Sequence, residues 1–200
     1  MDYGGLFRDA LVNVAQELES PVLPILMKTP NNKNDFGNNR ECYMVSSNAR
    51  SPTHLKMLKY LGALLAYNIM TKSPLPINMV PFFWKQLAGQ ETMSLEDLDS
   101  IDSYSAQMLV NMKQYGGILS ANDFAASIDQ NFTTVLSNGS EVSLCPGGET
   151  KKVTHANMDE FINLVLIARS NENSEYIKAM RSGMKPAMRS QNFWLALLPW

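Results

Sequence analysis

A thiol and an imidazole ten residues apart, Cys145 and His155, are the strongest candidates for nucleophilic chemistry in this chain of 200 residues. Such a pair works when the imidazole takes the thiol proton and the thiolate attacks. A thiolate forms where a helix N-terminus, a Lys, an Arg or a cationic His lowers the thiol pKa. Nothing immediately around Cys145 does this: it ends an apolar run and is followed by Pro146-Gly147-Gly148. The residues therefore favour a half-buried strand cysteine and a histidine at a helix start. Cys42 has no better setting. A self-contained cysteine hydrolase built on Cys145 and His155 is the weakest of the functional readings.

Other chemistries have even less to work with. Two cysteines and two histidines, Cys42, Cys145, His54 and His155, cannot build a disulfide scaffold, a Cys₄ zinc site or a three-histidine catalytic site. The acidic run Glu91, Glu96, Asp97, Asp99 and Asp102 reads as a solvated helix start rather than a cation site, since the helix dipole favours acids there. There is no P-loop, no G-x-G-x-x-G and no G-x-S-x-G, so no phosphate cradle or nucleophile elbow. No catalytic, cofactor-binding or metal-binding residue is assigned in this chain.

The elements that would position a site are mostly helices. Leu6, Phe7, Ala10, Leu11, Val14 and Leu18 recur at helical spacing up to Ser20, where Pro21 and Pro24 follow. Residues 28–50 are rich in Asn, Gly and Lys and read as a loop with a short hairpin. Ser51-Pro52 predicts a helix start, and the helix after it is apolar on nearly all sides, which predicts burial. Pro81 opens a short helix that Gly89 stops, and Ser94-Leu-Glu-Asp97 predicts a capping box. A helix is expected over Asp102–Gln114, ended by Gly116-Gly117, with Ser120 capping one short turn. Phe132–Leu136 and Glu141–Leu144 predict strands joined at Asn138-Gly139. Thr154 is expected to start a helix through Phe161, Leu164, Val165 and Ala168, and another carries Tyr176, Ile177 and Met180. The fold class is mainly α with a small β element, α+β.

Composition narrows the function classes. Lys and Arg number 17 against 19 Asp and Glu, a net charge of −2, which argues against a nucleic-acid partner. The apolar stretch Leu61–Met70 is too short for a membrane span, and no signal-peptide pattern opens the chain. The expectation is an intracellular protein, cytoplasmic or nuclear, with no membrane partner. The sequons at Asn131 and Asn138 read as chance matches. The 13 methionines read mostly as core filling. Asn192-Phe-Trp-Leu-Ala-Leu-Leu-Pro-Trp200 is an unusually apolar terminus, so a fragment of a larger protein is expected.

Several segments, in order and spacing, resemble the HECT domain of ubiquitin-protein ligases, with the flavour of the large HERC-like group. They are Asp2-Tyr-Gly-Gly-Leu-Phe-Arg8, like the family's Gly-Gly-x-x-Arg helix start; Thr29-Pro-Asn31 followed by Asn39-Arg40; and Ala49-Arg-Ser-Pro-Thr-His-Leu55 leading to Tyr60-Leu-Gly62. They continue with Ser73-Pro-Leu-Pro76 and Phe83-Trp-Lys-Gln-Leu-Ala-Gly89, then Leu95-Glu-Asp-Leu98 with Ile101-Asp102. Pro146-Gly-Gly148, Val153-Thr154, Asn157 and Glu160-Phe161 complete the set.

The resemblance implies a HECT N-lobe lacking its first segment. Residues 1–98 and 174–200 would form a large helical subdomain, and 101–170 a small subdomain that docks a ubiquitin-conjugating enzyme. It implies a ubiquitin-protein transferase in which ubiquitin passes to a cysteine thioester on a C-lobe outside this chain, then to a substrate lysine; the fragment alone would be inactive. The implied groove positions are Leu109, Met112, Ile128, Phe161 and Val165. Phe161 and Val165, four apart, share a helical face, and apolar anchors in a groove carry most interface energy. Three positions depart from the family pattern: Ser105 where an apolar groove residue is expected, Val165 for a frequent tyrosine and Ala66 for a frequent glycine. The first two favour an alternative of another class, a non-catalytic pseudo-ligase or scaffold.

Overall fold

Serine, threonine and aspartate caps set where the helices begin. In a computed structural model, which describes residues 5–48 and 51–189, α1 spans Gly5–Glu19. A short strand β1 (Leu26–Lys28), helix α2 (Pro30–Asn34) and strand β2 (Tyr43–Val45) follow. β1 and β2 pair antiparallel, Leu26 opposite Val45. Thr29 caps α2 by accepting from the Asn32 N–H, with Pro30 at the first helical position. Ser51 does the same for α3 (Pro52–Thr71), accepting from the His54 N–H. Helix α4 (Pro81–Ala88) stops at Gly89, whose φ of 100° is left-handed. In α5 (Leu95–Asp99) the capping box is complete: the Ser94 hydroxyl accepts from the Asp97 N–H, and the Asp97 carboxylate accepts from the Ser94 N–H.

The second half holds α6 (Ser103–Ile118), α7 (Ala121–Ser127), the hairpin β3 (Thr133–Val135) and β4 (Glu141–Ser143), α8 (Met158–Asn171) and α9 (Ser174–Met188). β3 and β4 pair antiparallel with Thr133 opposite Ser143. Gly139, at φ 86°, makes the turn between them. The fold is mainly helical with two small antiparallel sheets among the described residues, the class expected. The motif residues Asp2–Gly4 and Ala49-Arg50, and the apolar run Asn192–Trp200, lie outside the described residues.

Several expected boundaries and faces are corrected. Leu6, Phe7 and Ala10 are exposed, and α1 buries Leu11, Ala15 and Leu18 instead. α3 is not buried all round: Leu58, Leu61 and Leu65 face the core, while Met57, Tyr60 and Tyr67 face out. Residues 28–50 contain the helix α2 as well as the strand β2, whose partner β1 begins earlier, at Leu26. α6 runs through Gly116-Gly117 to Ile118; a Cβ at Gly116 would press on the Met158 thioether, so packing rather than helix termination explains that glycine. α8 begins at Met158, not Thr154, because the Asn157 side chain accepts from the Thr154 N–H at 2.7 Å and holds a turn there.

Two features hold the frame together. α3 packs along α9, and their backbones touch where side chains are missing. A Cβ on Gly62 would overlap the Met180 carbonyl oxygen, and one on Gly183 would overlap the Lys59 carbonyl oxygen. The second feature is Asn31, which is buried. Its amide donates to the carbonyls of Asn38 (2.9 Å) and Asp99 (2.8 Å) and accepts from the Ser103 N–H at 2.7 Å. One side chain thus joins α2 to the α5–α6 junction. Because backbone cannot retreat as a rotamer can, Gly62→Ala is expected to destabilise the chain by about 3 kcal/mol in urea unfolding; a loss below about 0.5 kcal/mol would mean that α3 and α9 are not in backbone contact.

Candidate docking site

Leu109 and Met112 lie on one face of α6, three residues apart, as the helical period requires. Phe161 and Val165 lie on the facing side of α8, and α6 packs on α8. Phe132, just before β3, meets Phe161 edge to face with centroids 5.5 Å apart. Lys151 stands 3.7 Å from the Phe132 ring centroid. Phe124 of α7 is buried in the same region. Ile128 ends α7 and packs half-buried against the core. All five expected groove residues therefore fall in one region between α6, α7, the hairpin and α8.

Four of the five are interior. Exposures are 0% for Leu109, 2% for Met112, 0% for Phe161 and 0% for Val165. What α6 offers to solvent is a second stripe, Tyr104, Met108, Tyr115 and Ile118, all exposed. With Asn111 between them these positions step by 4, 3, 4 and 3, which is one continuous helical face. Phe36 stacks on Tyr104 with centroids 4.2 Å apart and planes at 15°, so the end of the stripe is pre-ordered. The sequence signal for the stripe is its helical spacing within α6, which the sequence expectations above do not include.

Arg169 holds this region together and was also missed. It is the largest fully buried side chain, 1% exposed, in an otherwise apolar stretch of α8. Its Nη1 donates to Asp102 Oδ2 (2.9 Å) and to the Val135 carbonyl (3.2 Å), and its Nη2 donates to the Ser137 hydroxyl (3.0 Å). Ser137 in turn donates to Glu172 from its N–H (2.9 Å) and its hydroxyl (2.7 Å). Lys33 of α2 donates to the Ser137 carbonyl at 3.0 Å; burial pulls its ammonium below the ordinary lysine value, with Glu172 opposing. An arginine inside an apolar helix was the available signal, because such a charge must find partners.

Two acids expected to be solvated are instead structural. Asp97 is buried and takes a 2.6 Å bond from Lys85. Asp102 caps α6, accepting from the N–H and hydroxyl of Ser105 at 3.1 and 2.7 Å. Ser105 thus serves as a cap partner at the position where an apolar residue was expected. Burial works against ionisation of Asp102, but the Arg169 guanidinium and the Ser105 bonds outweigh it and hold the carboxyl below the usual range.

Cys145 and His155 are not brought into a catalytic pair. The His155 ring packs on Phe124 and its Nε2 meets the Gly116 carbonyl at 2.8 Å. The Cys42 thiol is buried, and burial together with Glu41 and Glu19 pushes its pKa up, the opposite of activation.

Asp102→Asn is expected to cost about 3 kcal/mol at neutral pH, since it removes the nearer of the two carboxylates that pair a buried guanidinium. The folded-state pKa of Asp102 is depressed, so its contribution is complete above the unfolded value of about 3.9. It is lost as pH falls through the lower folded value. Urea unfolding of both proteins should therefore show the gap narrowing below about pH 4. A gap that is constant with pH would contradict the charge pairing.

Comparison with known proteins places this geometry. A family model described as HECT-domain (ubiquitin-transferase) matches residues 13–198. E3 ubiquitin-protein ligase HERC2 of Homo sapiens is 32% identical over 186 residues, covering 92% of this chain and 4% of that protein. Ubiquitin-protein ligase E3B of Homo sapiens is 23% identical over 195 residues, covering 93% of this chain and 17% of that protein. E3 ubiquitin-protein ligase pub1 of Schizosaccharomyces pombe is 25% identical over 181 residues, covering 88% of this chain and 21% of that protein. The chain thus spans less than a quarter of the length of each of these relatives.

Proposed function

Since the chain belongs to the HECT-domain family of ubiquitin transferases, we propose that it is the lobe that recruits the ubiquitin-conjugating enzyme in a HECT-type ubiquitin-protein ligase. Residues 101–170 act as the docking subdomain, and residues 1–98 and 174–200 as the larger helical base. Ubiquitin then passes to a cysteine thioester on a C-lobe outside these 200 residues, and from there to a substrate lysine. The chain alone recruits but does not transfer. It works where ubiquitin and its conjugating enzymes are, in the cytoplasm or nucleus.

The observation that supports this reading is the packing of α6 on α8, with Leu109, Met112, Phe161 and Val165 buried on those two helices and Ile128 half-buried at the end of α7. In this proposal the four interior residues form the floor beneath the docking face and fix the spacing of α6 and α8. Ile128, at the rim, and Met108 and Tyr104, on the stripe, are the accessible contacts. Apolar and aromatic anchors of that kind dominate interface energy.

Burial of four groove positions also favours the second reading, a pseudo-ligase or scaffold whose groove is closed. A panel of conjugating enzymes titrated calorimetrically into the chain separates the two. Under the docking reading at least one member binds, and Ile128→Ala and Met108→Ala each weaken it by about 1–2 kcal/mol. Val22→Ala, in the exposed turn between α1 and β1, leaves the affinity unchanged. Absence of binding across the panel by the folded chain supports the scaffold.

A further inference from the structure

Independently of the ligase reading, the Arg169 cluster contains one donor and one acceptor that its own bonds leave over. Arg169 Nε has no hydrogen-bond partner. The nearest carboxylate oxygen, Glu172 Oε1, is 3.8 Å away, beyond hydrogen-bond reach. Both Glu172 oxygens already accept from Ser137. One turn further along the chain, Asn173 is 5% exposed and its Oδ1 has no donor. Asn173 precedes α9 without capping it by its side chain.

Arg169, Glu172 and Asn173 all line one small, partly enclosed cavity, together with Gln86, Phe83 and Ile101. The space open to the centre of a water molecule is about 10 Å³, which is room for one water and nothing larger. A purely apolar hollow of this size stays dry, whereas one with polar walls holds water where two to four partners converge. Leaving a buried guanidinium N–H and a buried amide oxygen unpaired costs free energy at both. Gln86, which lines the same cavity, donates from its amide nitrogen to the Ser170 carbonyl at 2.9 Å and so is held in place with an amide oxygen as a further acceptor.

We propose that a single long-lived water occupies this cavity, accepting from Arg169 Nε–H and donating to Asn173 Oδ1. Its second hydrogen is donated to Gln86 Oε1. The water completes the coordination of the buried arginine and links α8, the start of α9 and α4. The water thereby adds a hydrogen-bonded bridge at this seam beside the 3.8 Å Arg169–Glu172 ion pair.

The test is a water–protein NOE and ROE measurement on the full 200-residue chain, read at the Arg169 Nε–Hε proton. The expected result is a cross-peak at the water frequency with NOE and ROE of opposite sign, the mark of water that stays far longer than surface hydration water does. Asn173→Leu, which removes the acceptor and fills space, should abolish that cross-peak, and Asn173→Asp, which keeps an acceptor, should retain it. A wild-type Hε without a long-lived water cross-peak overturns the proposal, as does a through-bond coupling that shows a direct Arg169–Glu172 hydrogen bond. Persistence of the peak in a folded Asn173→Leu variant also overturns it. The wild-type measurement decides the matter even where a variant fails to fold.

Discussion

A fully buried arginine sets the terms for the second half of this molecule. Arg169 cannot be neutralised, so the chain must surround it with acceptors or leave a charge stranded at a cost of several kcal/mol. The acceptors come from distant segments: Asp102 at the head of α6, Val135 on β3 and Ser137 in the hairpin turn. Glu172, at the end of α8, holds Ser137 in turn. Satisfying one guanidinium thus fixes where α6 starts, where the hairpin lies and how α8 passes between them. Lys33 and Asn31 extend the same network to α2, so the two halves of the chain are joined by polar bonds as well as by packing.

Under the docking proposal this constraint bears on the groove, because the Asp102–Arg169 pair ties the head of α6 to the C-terminal part of α8. The apolar contacts of Leu109, Met112, Phe132, Phe161 and Val165 fill the space so defined. Polar bonds give the region one register and burial gives it stability. Ser105 illustrates the trade: it serves the Asp102 cap rather than an apolar surface.

Legibility in the sequence followed the range of the interaction. Ser51, Ser94 and Gly89 announced helix ends because capping is decided within four residues. Asn138-Gly139 announced the hairpin for the same reason. Gly116-Gly117 misled, because Gly116 answers to Met158 across the fold. The exposed sides of α1 and α3 misled as well, since apolar periodicity names a face without saying what covers it. At the site, four of the five positions that the resemblance implied are interior, because burial is a tertiary property that spacing does not carry. The partners of Arg169 lie as far as 67 positions away, and only the fold reveals them.

In the proposed function the α6–hairpin–α8 face receives the conjugating enzyme. Hydrogen exchange of the 200-residue chain with and without a conjugating enzyme that binds it tests this most directly. The account predicts added protection on α6, on the segment around Ile128, on the hairpin and on α8, with α1, α3 and α9 unchanged. Protection confined to the apolar groove between α1 and α3, lined by Leu18, Met57, Tyr60 and Leu64, would contradict it.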